Sequence, residues 1–222
     1  DQARSAGERP IQHLRFGLLG ASHWSESEQA VLAGMDLLTG QLREAGFVLA
    51  EIDFDVKAAS RLCRELYRLA CAQTLRTVEA HARDLLDPGL VAWAKPAADM
   101  GLQSLLGLMA QRDALGAQLA AVFEEVDVLL LPTVPVSAFQ AGQDSPSGWP
   151  ADDWFSWNPY TPAFNLLQTP ALSYPVWPSG ATLPAGVQLV APRHQDRCLL
   201  HVANWLEQSL PLKLSPLAAF TA

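Results

Sequence analysis

The sequence predicts an α/β domain, on three observations. Residues 14–52 read as a strand, a helix and a strand in succession. A continuous apolar run, Asp127-Val-Leu-Leu-Leu131, is closed by Pro132-Thr-Val-Pro135, the form of a strand buried on both faces. Two more short apolar segments, 172–176 and 186–191, lie between Pro and Gly residues and lead into an amphipathic helix.

Taken in order, Leu14-Arg-Phe-Gly-Leu-Leu19 alternates weakly and stops at Gly20, as a first strand. Ser25-Glu-Ser-Glu28 has the form of a capping box, in which the Ser25 hydroxyl accepts from the Glu28 amide and the Glu28 carboxylate reaches back. Val31, Leu32, Met35, Leu38 and Leu42 then recur at helical spacing, and Gly46 suits the left-handed position after a helix. Phe47-Val-Leu-Ala-Glu-Ile52 completes a βαβ unit with parallel strands. Residues 56–83 carry a long helical pattern through Leu62, Leu66, Leu69, Leu75 and Val78. Asp87-Pro-Gly89 interrupts it, a shorter helix carries Leu90, Val91 and Trp93, and another helix spans 102–125. Residues 136–157 are the least regular: a polar, turn-rich run is followed by Trp149, Trp154, Phe155 and Trp157. An aromatic cluster on a long loop is more often packing than recognition, and a loop this long is also a place to look for substrate contacts. Residues 158–170 read as a structured loop, and 196–208 as a helix with Leu199, Leu200, Ala203 and Leu206 on one face. One domain over 14–210 is expected, between a polar tail at 1–13 and a C-terminal tail at 211–222.

The formal net charge of −8 argues against nucleic acid or an anionic membrane as a main partner, because phosphate contacts need an excess of Lys and Arg. No apolar run reaches the roughly 18 residues of a membrane span. The polar N-terminus has no secretory h-region and no initiator Met, so a processed or trimmed chain and a cytoplasmic location are expected. Cys63, Cys71 and Cys198 have no C-x-x-C spacing, and Cys63 and Cys71 would lie about 12 Å apart along a helix. Reduced thiols are expected. Half of the residues are hydrophobic and 17% charged, an apolar surplus that either a large core or an absent packing partner accounts for.

Self-contained chemistry is hard to find. His13, His23, His81, His194 and His201 are scattered, without the spacing of a metal site, and neither metal nor cofactor is expected. His201 follows Cys198 by three residues on a helix, and His194 adjoins Arg193 on a turn; a helix surface and a solvated turn are the plainer readings. Asp152 and Asp153 are adjacent loop acids. Ser173 lies on a predicted strand with no identifiable base, which a Ser nucleophile needs. Nucleophile-elbow, Walker and dinucleotide motifs are absent.

Several pieces, in order, resemble the C-terminal half of amidase-signature hydrolases. Arg112, Phe123 and Asp127-Val-Leu-Leu-Leu-Pro-Thr133 follow that family's "R…F…D-hydrophobic-hydrophobic-x-P-T" pattern. Asn165, Pro170-Ala171, Ser173, Pro175, Pro184, Gly186, Gln188 and Glu207 follow its C-terminal motif, with Gln168 where the family usually has Gly. The resemblance implies a mixed β-sheet flanked by helices, the C-terminal half of the amidase-signature fold. It implies an amide hydrolase whose Lys–Ser–Ser triad lies in a preceding half. Lys57, Lys95 and Lys213 stand in the wrong contexts for that Lys, no Gly/Ser-rich segment is present, and no catalytic residue carries over. Trp157, Asn158, Tyr160, Thr161 and Phe164 are implied to line a pocket for a small amide, with the N-terminal half as packing partner. In glutamine-using relatives an acid resembling position 158 grips the substrate ammonium. Asn158 is neutral here, which points to neutral, aromatic or acyl amides. The alternative is an amidase-like binding or scaffolding module without catalysis.

Overall fold

The computed structural model describes residues 9–150, 153 and 155–209. The expected C-terminal tail and residues 1–8 of the N-terminal one lie outside the described residues. The chain divides into two compact units. One takes the residues up to Asp53, Val122–Ala138 and those from Thr169 onward; the other takes Phe54–Ala121 and Phe139–Gln168.

The first unit holds a five-stranded mixed sheet. Its strands β1 (Phe16–Leu19), β2 (Leu49–Ile52), β3 (Val128–Pro132), β4 (Ala171–Val176) and β5 (Ala185–Val190) lie in the order β2-β1-β3-β5-β4. β1 is parallel to β2 and to β3, as the βαβ reading requires, with Phe16 opposite Leu49 and Val128. β5 is antiparallel to both β3 and β4, with Leu130 and Leu172 opposite Leu189. Val128, Leu129, Leu130 and Leu131 are fully buried, so the apolar run is covered on both faces at the centre of the sheet. At roughly 1.5–3 kcal/mol per buried aliphatic side chain, this strand anchors the unit.

Helix α1 (Gln29–Glu44) packs against β3, β4 and β5 through Val31, Gly34, Met35, Leu38 and Leu42. Gly34 is required there, since a Cβ would come within 2.5 Å of the Ala185 Cβ. The expected capping box does not form. The Glu28 amide donates instead to the Pro135 carbonyl (2.8 Å), and its carboxylate accepts from the Ser137 amide (2.9 Å). Tertiary partners have taken both groups that the local motif needed. Helix α6 (Asp196–Ser209) buries Cys198, Leu199, Val202 and Leu206, whereas Leu200, expected on that face, is 63% exposed. Phe47 joins this core edge-on to both Phe16 (5.0 Å) and Trp205 (5.2 Å).

Asp127 ties the start of β3 to the residue before β1. Its carboxylate accepts from the Arg15 backbone amide (2.9 Å), the Arg15 side chain (3.2 and 3.3 Å) and Arg9 (2.6 Å). In return the Asp127 amide donates to the Arg15 carbonyl (2.8 Å). Burial pushes this carboxyl up, but the hydrogen bonds from Arg15 and Arg9 outweigh burial and hold it below its ordinary value.

The second unit is helical: α2 (Val56–Thr77), α3 (Pro88–Ala94), most of α4 (Leu102–Glu125) and α5 (Thr161–Leu167). Asp55 caps α2 by accepting from the Ala58 amide (2.8 Å), and Asp87 caps α3 by accepting from the Leu90 amide (2.7 Å), ahead of Pro88 in the first turn. The long helix expected over 56–83 stops at Thr77, and a 3₁₀ turn follows at Ala80–Leu85. A further departure lies in 158–170, read as a loop but containing α5. Pro162 is tolerated in its first turn, and Gln168 closes it in the left-handed region (φ 58°), a conformation that suits Gly best. Arg112 Nε donates to the Leu166 carbonyl (3.0 Å), satisfying an acceptor that the end of α5 leaves open.

Truncating Asp127 to Ala removes the shared acceptor of two guanidinium groups and destabilises the fold by about 3 kcal/mol, measurable by urea unfolding at neutral pH. A depressed carboxyl stabilises the fold fully above its unfolded pKa, near about 4, and that contribution is lost as pH falls through the lower folded value. Urea midpoints from pH 6 downward therefore fall less steeply in Asp127→Asn than in the parent chain.

Candidate functional site

The sequence-singled residues of 157–164 follow one another on the segment that enters α5, but they face different surroundings. Tyr160 and Phe164 are 1% exposed and belong to the core of the helical unit, where α5 packs along α2. Trp157 is half-buried and meets Phe139 edge-on at 5.3 Å. Asn158 Nδ2 donates to Thr161 Oγ1 (2.5 Å), and Asn158 Oδ1 receives the Thr161 amide at a long 3.4 Å, so this side chain braces the first residue of α5. Of the five, Asn158 borders a cavity.

That cavity, about 160 Å³, lies between the first turns of α2 and residues 155–159. Lys57, Ser60, Arg61 and Arg64 form one wall, and Phe155, Ser156, Asn158 and Pro159 the other. The walls are fastened by Ser60 Oγ, which donates to the Pro159 carbonyl (2.7 Å). Asp153 receives the Ser156 amide (3.1 Å) and hydroxyl and lies 3.6 Å from Arg64; its neighbours Asp152 and Trp154 lie outside the described residues. Phe155 packs on Trp93 (5.9 Å) and Tyr67 (6.0 Å), so this part of the aromatic cluster serves packing. A second cavity of about 320 Å³, mostly apolar, lies among α2, α3 and the intervening turn, with Arg76, Arg83 and Lys95 among its lining residues.

In the sheet unit, Ser173 does have a partner: its hydroxyl is 2.7 Å from that of Thr133. Gly186 makes room for the pair, since a Cβ there would lie 2.8 Å from Thr133 Oγ1 and 3.0 Å from Ser173 Oγ. A second hydroxyl is not a base, so the pair does not activate Ser173 as a nucleophile. Sequence spacing missed His23, whose Nε2 lies 2.8 Å from Asp53 Oδ1 across 30 residues. His194 sits on a turn with φ 67°. Among the described residues no three His, Cys, Asp or Glu side chains gather as metal ligands. No described helix is long and apolar enough to cross a membrane. The three cysteines are free; burial, aided by repulsion from Asp127 and opposed by Arg9, pushes the Cys198 thiol up to about 11. Lys213 lies outside the described residues.

The amidase family profile matches residues 2–200. The chain belongs to the amidase family. Its relatives include a glutamyl-tRNA(Gln) amidotransferase subunit from Synechococcus sp. (strain RCC307), 30% identical over 92% of this chain and 47% of the relative. Among solved structures, an amidase superposes with a TM-score of 0.76 at 20% identity, over 90% of this chain and 46% of its own. The 6-aminohexanoate cyclic dimer hydrolase superposes with a TM-score of 0.74 at 19% identity, over 93% of this chain and 47% of its own. At these identities the superpositions establish the fold: this chain has the mixed sheet and flanking helices of amidase-signature enzymes. It spans less than half the length of each of these three relatives.

Replacing Asn158 by Ala removes the brace on Thr161 and lowers stability by about 1 kcal/mol, whereas Asn158→Asp keeps an acceptor for the Thr161 amide and loses less. Thermal unfolding of the two variants side by side checks the order.

Proposed function

We propose that this chain is the C-terminal portion of an amide hydrolase acting on linear carboxylic amides, supplying sheet and one pocket wall while a preceding half supplies the Lys–Ser–Ser triad. The observation that carries the reading is the family match over residues 2–200 of a chain that spans only 46–47% of the amidase and the 6-aminohexanoate cyclic dimer hydrolase that it superposes on. The chemistry supports it. The Ser173–Thr133 hydroxyl pair in the sheet unit brings no base to Ser173, and neither Lys57 nor Lys95 lies in a Gly/Ser-rich surrounding. Trp157, Asn158, Tyr160, Thr161 and Phe164 are proposed as the pocket segment, with Asn158 at the cavity and the aromatic residues holding its backbone in place.

Within the family, hydrolysis is favoured over glutamine-directed amidotransfer. Asn158 carries no charge to neutralise a substrate ammonium, and desolvating that cation without a counter-charge is costly. Packing against the preceding half is supported by α4, an apolar helix on which Leu119 alone is fully buried while Leu102 and Leu106 are 71% and 60% exposed.

Mixing the 222-residue chain with the N-terminal half of an amidase relative is expected to give a complex that hydrolyses simple amides and anilides, with neither part active alone. Robust turnover by this chain alone, abolished by replacing one internal Ser, would sink the proposal. A complex that binds amides without cleaving them would point to the scaffolding alternative.

A further inference from the structure

We propose that the cavity between α2 and residues 155–159 holds an oxyanion, and, resting on the amide-hydrolase reading above, that this oxyanion is a carboxylate carried by the substrate. Lys57, Arg61 and Arg64 are spaced four and three residues apart, which places all three cations on one stripe of α2. Like charges at these spacings repel one another along a helix. The stripe begins at the second residue of α2, whose first turn contains no acid, although the positive end of a helix favours anions over cations. Lys57 thus stands in the turn least suited to a cation, and all three cations line the same cavity.

The neighbouring carboxylates pair with the two arginines at 3.4–3.9 Å but make no hydrogen bond to either. Asp55 spends one oxygen on the Ala58 amide and holds the other 3.9 Å from Arg61. Asp153 accepts twice from Ser156 and stays 3.6 Å from Arg64. Glu65 lies 3.4 Å from Arg64 Nε without hydrogen-bond geometry and 3.6 Å from Arg68, and Arg64 Nε is buried with no partner among the described residues. No described carboxylate lines the cavity. A bound oxyanion supplies the acceptors that these guanidinium groups lack, and Arg presents a planar fork that matches a carboxylate. Phe155 and Pro159 give the opposite wall an apolar surface. With about 160 Å³, the cavity has room for several water-sized groups, which suits a carboxylate on a short apolar stem.

The test is calorimetric titration of the 222-residue chain with benzoate, with its near-isosteric neutral analogue benzamide, and with inorganic phosphate. Benzoate is expected to bind, more weakly as salt rises, and benzamide is not. The double variant Lys57→Gln, Arg61→Gln, which leaves half-buried Arg64 in place, is expected to weaken benzoate binding at least about tenfold. Equal binding of benzamide, benzoate affinity unchanged in the double variant, or affinity insensitive to salt overturns the proposal; the salt series reads it even where the variant misfolds. Phosphate bound in preference to benzoate overturns the substrate-carboxylate assignment. With the N-terminal half added, cleavage of a neutral anilide in preference to its carboxylate-bearing counterpart overturns this inference and leaves amide hydrolysis standing. Charge-dependent benzoate binding without cleavage of either anilide upholds the oxyanion cavity and fails the hydrolase reading.

Discussion

The carboxylate of Asp127 is the constraint on which the sheet unit depends. It is nearly buried, and a buried charge is tolerated only where partners satisfy it. Here those partners come from the residue that precedes β1 and from Arg9. Meeting the needs of one charge therefore aligns β1 with β3. Once Phe16 stands opposite Val128, the register of the centre is set, and β5 can add antiparallel on the other edge of β3. The same charge reaches Cys198 on α6 and helps keep its thiol protonated and inert.

Two residues of the family motifs serve as local clamps. Arg112 closes the end of α5, and Gly186 makes room for the Thr133–Ser173 pair. Periodicity carried the strands and most helices well, because burial selects apolar spacing directly: β3 is as buried as its run of leucines requires. It failed where tertiary contacts outrank local ones. Glu28 abandons its capping box for Pro135 and Ser137, and α5 hides behind Pro159 and Pro162, which read as loop residues. Gln168 adopts a left-handed backbone that composition alone would assign to Gly.

The candidate site was legible only on one side. Asn158 could be singled out only through the family resemblance, which implies an acid at that position in glutamine-using relatives. The facing cations could not, because Lys57, Arg61 and Arg64 on an otherwise amphipathic helix look like any solvated face. They become a cavity wall only when residues 155–159, some 95 positions later, return and are pinned by the Ser60–Pro159 hydrogen bond. Hydrophobic spacing carries no information about such a return, since the contact is made by a backbone carbonyl that every residue possesses.

The sheet unit is discontinuous in sequence, drawn from three separate stretches of chain, and this bears on how it is made. Arg15 must wait for Asp127, 112 residues later, and β3 must wait for β5 before its second edge is paired. During synthesis the first strands emerge with their central partner still unmade, while α2 and α3 already have each other as local neighbours. Long-range pairings of this kind are slow to close, and unpaired strand edges are exposed to aggregation in the interval. Helices that form from near contacts shorten the span of loose chain that later closures must bridge, which lowers the entropy cost of closing the sheet.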